Sequence, residues 1–559
     1  MINRMTSSSV NEPTIWFNVT TSANWKRPPV GIVRVEMALC EELHKIYGDG
    51  RFKRCIWVDE QFIEYNLPLR GRNEDVDLAV DAILPDSASF DLARLFLAKA
   101  FSQFKTKSNQ QDAKHISLSI PTQDKRAHKP VAGDILISVG LDWDQPYSQR
   151  FFQLQKKQGI RVVTCCYDLI PVLFPQYCVG EVALRFKEYF TQLSWGSEAV
   201  LCISEQTRRD YIDLCTQLGA PERQTCVIPL GDNVPIGSGD ISKQIRAVVE
   251  EPYILFVSTI ERRKNHEVLY RAYHLLARSG HYKDLPKLVF VGMPGWGVGD
   301  LLKDIELDPL TQGLIVQLNH VSDSELNRLY NDALFCVYPS LYEGWGLPVG
   351  EALALGKAVI SSNLGSLPEV GGDLVRYVDP WNSQAWADAI LDFLKNPALV
   401  SDIEAAVKQK YRARTWTETA KVASCLIDQL AAHPQNEWHW LPGYDLSTHV
   451  GIHVGGSIVA SGERGYLLYG PHRAVPIGVY DISIFGDMGD GICEGAVADI
   501  AVDKGKRILG QLSMSPQSVG GCLATIRINI DSNYDDLEVR VRVNEQCGMT
   551  LTLVKLIRI

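Results

Sequence analysis

The sequence predicts a three-part chain: two α/β units, each a parallel sheet with crossover helices, followed by an all-β domain of sandwich type. Three observations carry this reading. From Thr14 to about Gly231, short apolar runs ending in Gly, Pro, Ser or Asp alternate with helix-length amphipathic stretches. A second series of the same kind starts at YILFVS, after the turn-rich segment Gly231–Asp240. Beyond His433 the runs become short, alternating or β-branched, with glycine-rich turns between them. A length of 559 residues fits this division, because a single core stops growing well below that size.

In the first series, TIWFNV, DILISVG, RVVTCCYDLIP and AVLCIS read as strands, and the polar stretch from Asn66 to Lys129 reads as a long excursion. In the second, YILFVST, KLVFVG, LIVQL, LFCVYPS and AVISS read as strands of another Rossmann-like unit, closed by a helical stretch from Pro397 to Leu430. Two such units joined by a linker make a cleft. GIHVGGSIVASG, GYLLYG, GVYDISIFG, GAVADIAV, RILGQLSM, CLATIRINI, LEVRVRV and MTLTLVKLIRI supply the β domain. The expected boundaries are 1–235, 236–435 and 436–559.

Composition narrows the function classes. Hydrophobic residues at 46% and charged residues at 22% match a folded globular chain. A formal charge of −10 argues against nucleic acid as a partner, since phosphate neutralisation needs a dominant basic face. The local basic clusters Arg51-Phe-Lys-Arg54 and Lys99 to Lys107 read as solvated surface, with contact to anionic lipid head groups as the sharper alternative. Thirteen cysteines without a C-x-x-C pair indicate neither a disulfide framework nor a zinc site. MINRMTSSSVNEP has no apolar core behind it, and no run reaches the eighteen apolar residues of a membrane helix. The expectation is a soluble cytoplasmic protein, with peripheral membrane contact and self-association left open.

The chemistry concentrates in SLYEGWGLPVGE, Ser340 to Glu351. It follows a buried strand and leads into a helix near Leu347, with Pro348 in the first turn where its missing N–H does no harm. Gly344 and Gly346 would let backbone approach a ligand closely, and amides at the helix start suit a diphosphate or ring hydroxyls. Glu343 and Glu351 would accept hydrogen bonds from vicinal hydroxyls. As ordinary loop and helix-start acids they would gain only about 0.3–1 kcal/mol each from the helix dipole.

EGWGLPVGE, with seven residues between its glutamates, resembles the E-x7-E motif of family 4 retaining glycosyltransferases of the GT-B fold, and GKAVISSNLGSLPEVGGDLVRYVDP resembles their usual continuation. The resemblance implies that Glu351 binds ribose hydroxyls, that Glu343 faces the donor sugar, and that amides around Gly346 and Leu347 contact sugar and phosphate. It extends over most of residues 14–430. Ser258-Thr-Ile-Glu-Arg-Arg-Lys-Asn265 is similar to the family's basic pyrophosphate loop, with Ser258 and Arg262 where glycine and proline are usual. Arg263 and Lys264 would stabilise the diphosphate as it gains charge on leaving.

Pro28-Pro-Val-Gly-Ile-Val-Arg-Val35 resembles the loop these enzymes place at the cleft. Gly31 would admit donor phosphate or acceptor, and Arg34 would bind an anion or anchor the loop. Tyr167-Asp-Leu-Ile-Pro171 resembles the segment H-D-L-I-P, with Tyr167 in place of the frequent histidine; Asp168 would orient or deprotonate an acceptor hydroxyl. Cys202-Ile-Ser-Glu-Gln-Thr207 and Gly292-Met-Pro-Gly-Trp-Gly297 resemble two further cleft turns, and His320 and Val321 stand where relatives contact the nucleobase. Asp75-Val-Asp77 and Asp142-Trp-Asp144 spell D-x-D, but neither is placed like a metal site, so no metal and no other cofactor is expected beyond the nucleotide-sugar co-substrate.

The implied reaction is transfer of a hexose, mannose favoured and GDP-mannose the favoured donor, to a glycan or lipid-linked glycan in capsule or O-antigen polysaccharide synthesis. A non-catalytic glycan- or nucleotide-binding protein on the same fold is the alternative. Gly462–Pro471 and Pro476–Tyr480 resemble a β module found on some polysaccharide-synthesis proteins and similar in outline to carbohydrate-binding modules. Trp438, Trp440, Tyr466, Tyr469 and Tyr480 are its candidate stacking residues, with core packing, oligomerisation or docking as the competing roles.

Overall fold

The computed structural model describes residues 12–25, 31–67, 128–178, 180–232, 241–489, 495–514 and 521–559. The first unit is a seven-stranded sheet of β1 (Ile15–Asn18), β2 (Phe52–Val58), β3 (Gln61–Glu64), β4 (Ile135–Ser138), β5 (Arg161–Cys166), β6 (Ala199–Cys202) and β7 (Gln224–Val227). Its order is β3-β2-β1-β4-β5-β6-β7, parallel except where β3 returns antiparallel on β2. β1, β4, β5 and β6 are buried at every residue, which is why they read as continuous apolar runs rather than alternating ones.

The second unit is a parallel sheet of β8 (Tyr253–Val257), β9 (Lys287–Val291), β10 (Ile315–Leu318), β11 (Cys336–Tyr338), β12 (Val359–Ser361) and β13 (Arg376–Tyr377). Its order is β10-β9-β8-β11-β12-β13. Strand order reverses between β1 and β4 in one sheet and between β8 and β11 in the other. Crevices open at such reversals, beyond the carboxyl ends of the strands.

Two expectations change. Arg51–Arg54 is not a solvated basic patch, because Phe52 opens strand β2 with its ring in the core. Lys53 leans over the Trp16 ring and pairs with Glu64, and Arg54 lies over Tyr65. The cations hid a half-buried strand with Phe52, Cys55 and Ile56 buried. Most of the excursion, including Lys99 to Lys107 and Asp75-Val-Asp77, lies outside the described residues, as do the N-terminal stretch to Asn11 and most of the linker.

The helix Trp416–Ala432 falls in the stretch expected with the second unit, yet it packs against the first. Thr419 Oγ1 donates to the Pro229 carbonyl (2.7 Å), Tyr47 Oη to the Ser424 carbonyl (3.2 Å), and Thr417 Oγ1 to Glu42 (2.7 Å). A capping box of Thr415 and Glu418 starts it cleanly. The chain thus returns across the cleft after completing the second sheet. No helix among the described residues is long and apolar enough to cross a membrane.

The last part is antiparallel: β14 (Glu437–Trp440), β15 (Gly451–Val454), β16 (Ser457–Ala460), β17 (Gly465–Arg473), β18 (Gly478–Asp487), β19 (Val497–Val502), β20 (Arg507–Ser513), β21 (Cys522–Ile530), β22 (Leu537–Val543) and β23 (Thr550–Arg558). One sheet runs β15-β16-β23-β18-β21 with β14 on β23; the other runs β17-β22-β19-β20. The alternating residues of β18, β22 and β23 share one core with Trp440 and Tyr480. Those two aromatics are fully buried, so they cannot stack on a ligand. This domain docks on the first unit, where Ala474 N–H donates to the Lys157 carbonyl (2.8 Å).

Beneath the β1/β4 crevice lies a buried polar network. Asn18 Nδ2 donates to Ser138 Oγ (2.9 Å), and Ser138 Oγ and Tyr147 Oη both donate to Asp142 Oδ1 (2.8 Å each). Ser22 N–H donates to Glu36 Oε1 (2.7 Å). The second oxygen of each carboxyl, Glu36 Oε2 and Asp142 Oδ2, has no hydrogen-bond partner. Burial raises both groups to about 7, and Asp142 adds to the rise of Glu36. The folded state therefore keeps protons that the unfolded chain releases above about pH 4, and the stability they contribute is lost as pH rises to about 7. Asp142→Asn should flatten this dependence: between pH 5.5 and 8 its unfolding temperature should fall less than that of the wild type, as thermal unfolding at several pH values will show.

Candidate active site

The second unit builds the core of the site from the loops after the two strands that flank its reversal. After β11 the chain runs from Pro339 to Gly346 and enters the helix Leu347–Ala354. After β8 it passes through a short 3-10 turn, Arg262–Lys264, to Asn265, whose φ of 60° reverses the backbone. Asn265 Nδ2 donates to the carbonyls of Pro339 (3.2 Å) and Pro380 (2.8 Å), tying the two loops together.

That tie brings Glu343, 6% exposed, onto both cations: Arg263 Nη1 lies 2.8 Å from Oε2 and Lys264 Nζ 2.6 Å from Oε1. Tyr338 Oη donates to the same Oε1 (3.1 Å) and accepts from Lys264 Nζ (2.9 Å). Arg263 also donates to the Tyr342 carbonyl (2.7 Å) and to Glu261 (2.8 Å). Burial works against the Glu343 charge, but Arg263 and Lys264 outweigh it and hold the carboxyl down at about 2. Burial likewise opposes the Arg263 charge, and Glu343, Glu261 and Asp168 overcome it. For Lys264 burial wins, lowering it from the usual lysine value against the pull of Glu343.

Glu351, also 6% exposed, faces the first unit. Arg34 Nη1 reaches Glu351 Oε1 across the cleft (3.2 Å), and Tyr330 Oη donates to Oε2 (3.1 Å). Burial raises the Glu351 carboxyl and Arg34 opposes the rise. Arg34 sits in the first turns of the helix Ile32–Arg51, whose N-cap Gly31 has a φ of 51°. The rest of the proline-containing loop before it, Pro28–Val30, lies outside the described residues.

Asp168 stands beyond the carboxyl end of β5, held by the Ile170 N–H (3.1 Å). Burial raises its carboxyl and Arg263 opposes this. Asp168 and Arg263 line a cavity of about 720 Å³ between the units, with Trp143, Tyr177, Phe186 and Trp296 on its walls. Trp296, from the glycine turn Gly292–Gly297, closes one side by donating to the Tyr177 carbonyl (3.0 Å). The neighbouring Tyr167 hydroxyl donates to the Val139 carbonyl, a structural bond within the first unit.

Several expected roles shift. The space beside Gly344 is filled by protein: a Cβ there would lie 2.2 Å from the Tyr167 carbonyl oxygen. Gly346, at φ 111°, is crowded by Leu367. These glycines permit the two units, and two loops of one unit, to touch. Leu347 starts its helix as expected. His320 is exposed beyond the edge strand β10 with a φ of 56°, next to the half-buried Val321, and the hydrogen bonds and ion pairs of Glu343 and Glu351 involve neither residue. Asp142 is in the buried network and Asp144 pairs with Arg185 (2.8 Å), so that D-x-D string is split. Among the described residues no group of three His, Cys, Asp or Glu is placed to hold a metal.

Glu369 was not legible as a site residue. Its carboxylate accepts the N–H groups of Glu205 (2.7 Å) and Gln206 (2.8 Å), capping from the second unit a helix of the first, Glu205–Leu218. Thr207 Oγ1 in the same turn donates to the Gly344 carbonyl (3.3 Å). The string LPEV carried no hint of a partner 160-odd positions away. Tyr330 and Tyr338 were equally silent, since tyrosines in apolar stretches read as core.

Residues 238–416, most of the second unit, match the family described as glycosyl transferases group 1. Among curated relatives, the O-antigen chain mannosyltransferase B of Escherichia coli is 29% identical over 238 residues, 42% of this chain and 62% of the relative. The serotype-specific mannosyltransferase WbdA of Escherichia coli is 27% identical over 269 residues, 47% of this chain and 33% of the relative. The chain thus spans less than two thirds of these relatives. Among solved structures, sucrose-phosphate synthase from Thermosynechococcus elongatus aligns over 75% of this chain and all of its own at 19% identity, with a TM-score of 0.48.

Two outcomes test this geometry. The Arg34–Glu351 contact should show a coupling of about 0.5–3 kcal/mol in a double-mutant cycle of Arg34→Ala and Glu351→Ala, read by denaturant unfolding. Gly344→Ala should lower stability by about 1–3 kcal/mol through overpacking against the Tyr167 carbonyl, in the same measurement.

Proposed function

We propose that this protein is a retaining glycosyltransferase that moves a hexose, with mannose and GDP-mannose favoured, from a nucleoside diphosphate sugar to a glycan or lipid-linked glycan hydroxyl. The observation that carries the reading is the convergence of Arg263, Lys264 and Glu343 at the β8/β11 reversal, with Arg263 and Asp168 both lining the cavity between the units. The group 1 domain and the mannosyltransferase relatives support the same reading.

The chemistry follows from the charges. Glu343 bridges Arg263 and Lys264, with Glu261 sharing Arg263, and a diphosphate entering beside them takes over part of that pairing. Glu343 then faces the donor sugar, and Glu351 accepts hydrogen bonds from the ribose hydroxyls as Arg34 gives way. As the bond from the anomeric carbon to the phosphate oxygen breaks, the leaving diphosphate gains charge, which the two cations stabilise in a site with little water. The acceptor oxygen bonds to the anomeric carbon on the same face, and its proton passes to the departing phosphate oxygen. Asp168, whose carboxyl is made more basic by burial, orients that acceptor hydroxyl. Cations on side chains do the work a metal does elsewhere, so the reaction is proposed to need none. The enzyme is taken to act in the cytoplasm, where an acceptor carried on a lipid would bring it to the membrane surface.

Lys264→Ala should lower kcat about 100-fold or more, whereas Glu351→Ala should mainly raise the donor KM. Initial rates over a range of donor concentration distinguish these, and near-normal kinetics in both variants would sink the assignment. A chelator should leave the rate unchanged. GDP-mannose should raise the unfolding temperature more than UDP-glucose does, because a ligand that binds only the folded state stabilises it in proportion to its affinity.

A further inference from the structure

The antiparallel domain, the end of the helix Trp416–Ala432 and the first unit together enclose a crevice far from the cleft. It has two adjoining recesses, of about 640 and 910 Å³, both lined by Gly159, Gln435 and Trp438. Its floor is the amino-terminal edge of the first sheet, at Asp134 before β4 and Arg161 at the start of β5. Asp168 lies beyond the other end of β5, so the crevice is separated from the cleft by the strand's length, roughly 17–20 Å for six residues.

Trp438 is the one large aromatic shared by both recesses. It is half-buried, with its ring packed against Tyr480 at 5.8 Å, while Trp440, two residues on, is in the core. Trp440 also lines the smaller recess, and its Nε1 has no hydrogen-bond partner.

Several of the charges around the crevice are paired with one another, while Arg223 and Arg558 spend donors on the carbonyls of Ser194, Trp195 and Ile477. Arg161 is bound to Glu198 (2.5 Å), Arg473 to Asp445, Arg51 to Asp428 (3.6 Å), and Glu437 to both Lys555 (2.6 Å) and His439 (2.6 Å). The lining acids Glu12, Asp134, Glu198, Asp428 and Glu437 offset most of the cationic charge, and the donors and acceptors left over suit hydroxyl groups. Gln435, Asn436 and Asn533 add neutral amides. An indole face ringed by amides and neutralised ion pairs fits a sugar ring, which offers C–H groups to the aromatic and hydroxyls to the rim.

We infer that this crevice is a second glycan-binding site, taking a neutral oligosaccharide of a few residues with one ring against Trp438. It holds a remote part of a long acceptor or product while the cleft works on the end. The choice of a mannose probe rests on the proposed function; the site itself does not.

The experiment titrates the full chain with α-linked mannotetraose, and with tetraoses of glucose and of galactose, following tryptophan fluorescence. Saturable binding of at least one is expected, weakened tenfold or more in Trp438→Ala and in Trp438→Leu, which keeps an apolar side chain at the docking surface. Both variants should keep the thermal shift given by GDP-mannose, which reports on the cleft alone. Equal binding by wild type and a folded variant overturns the inference, and so does a wild type that binds none of the three. Loss of the GDP-mannose shift in the wild type would instead count against the proposed function and leave the tetraose result to judge the crevice.

Discussion

The arrangement of the whole cleft depends on a charge problem: two cations, Arg263 and Lys264, stand in a place with little water, and Glu343 is the carboxylate that makes this tolerable. Breaking a buried pair by removing one partner costs several kcal/mol, because the remaining charge is stranded. Glu343 bridges both cations, and Glu261 shares Arg263 with it. Asn265 makes the bridge geometrically available by joining the loop after β8 to those after β11 and β13.

The same economy appears where the two units meet. Arg34 reaches Glu351, Glu369 caps the helix after β6, and Gly344 brings its backbone against Tyr167. Each contact uses a group that a polar or charged ligand would also seek, so binding in the cleft and the relative position of the units share the same atoms. The returning helix Trp416–Ala432 ties the end of the second unit to the first.

The antiparallel domain is joined to this body at the opposite end of the first sheet. Its core accounts for Trp440 and Tyr480, two of the five aromatics that looked available for stacking. Of the others, Tyr466 lies under Arg540, Tyr469 against His449, and Trp438 faces the junction. The domain thus offers a ligand-sized space where it meets the first unit.

Local pattern determined most of the strands and the two-unit plan. Continuous apolar runs such as ILIS and YILFV are buried on both faces of a parallel sheet, and the alternation in LEVRVRV belongs to an antiparallel one. It failed at FKRCIWV, where cations that lean on aromatic rings masked a strand. The sequence also marked Glu343, Glu351, Arg263 and Lys264 as chemistry, through the resemblance of EGWGLPVGE and STIERRKN to the motifs of a known family. Only the tertiary structure decided who their partners are. Glu343 lies 79 positions from Lys264, Arg34 317 from Glu351, and Glu369 164 from Glu205. Pairings over such distances are set by strand order and by how the units dock, and neither leaves a periodic trace in the chain.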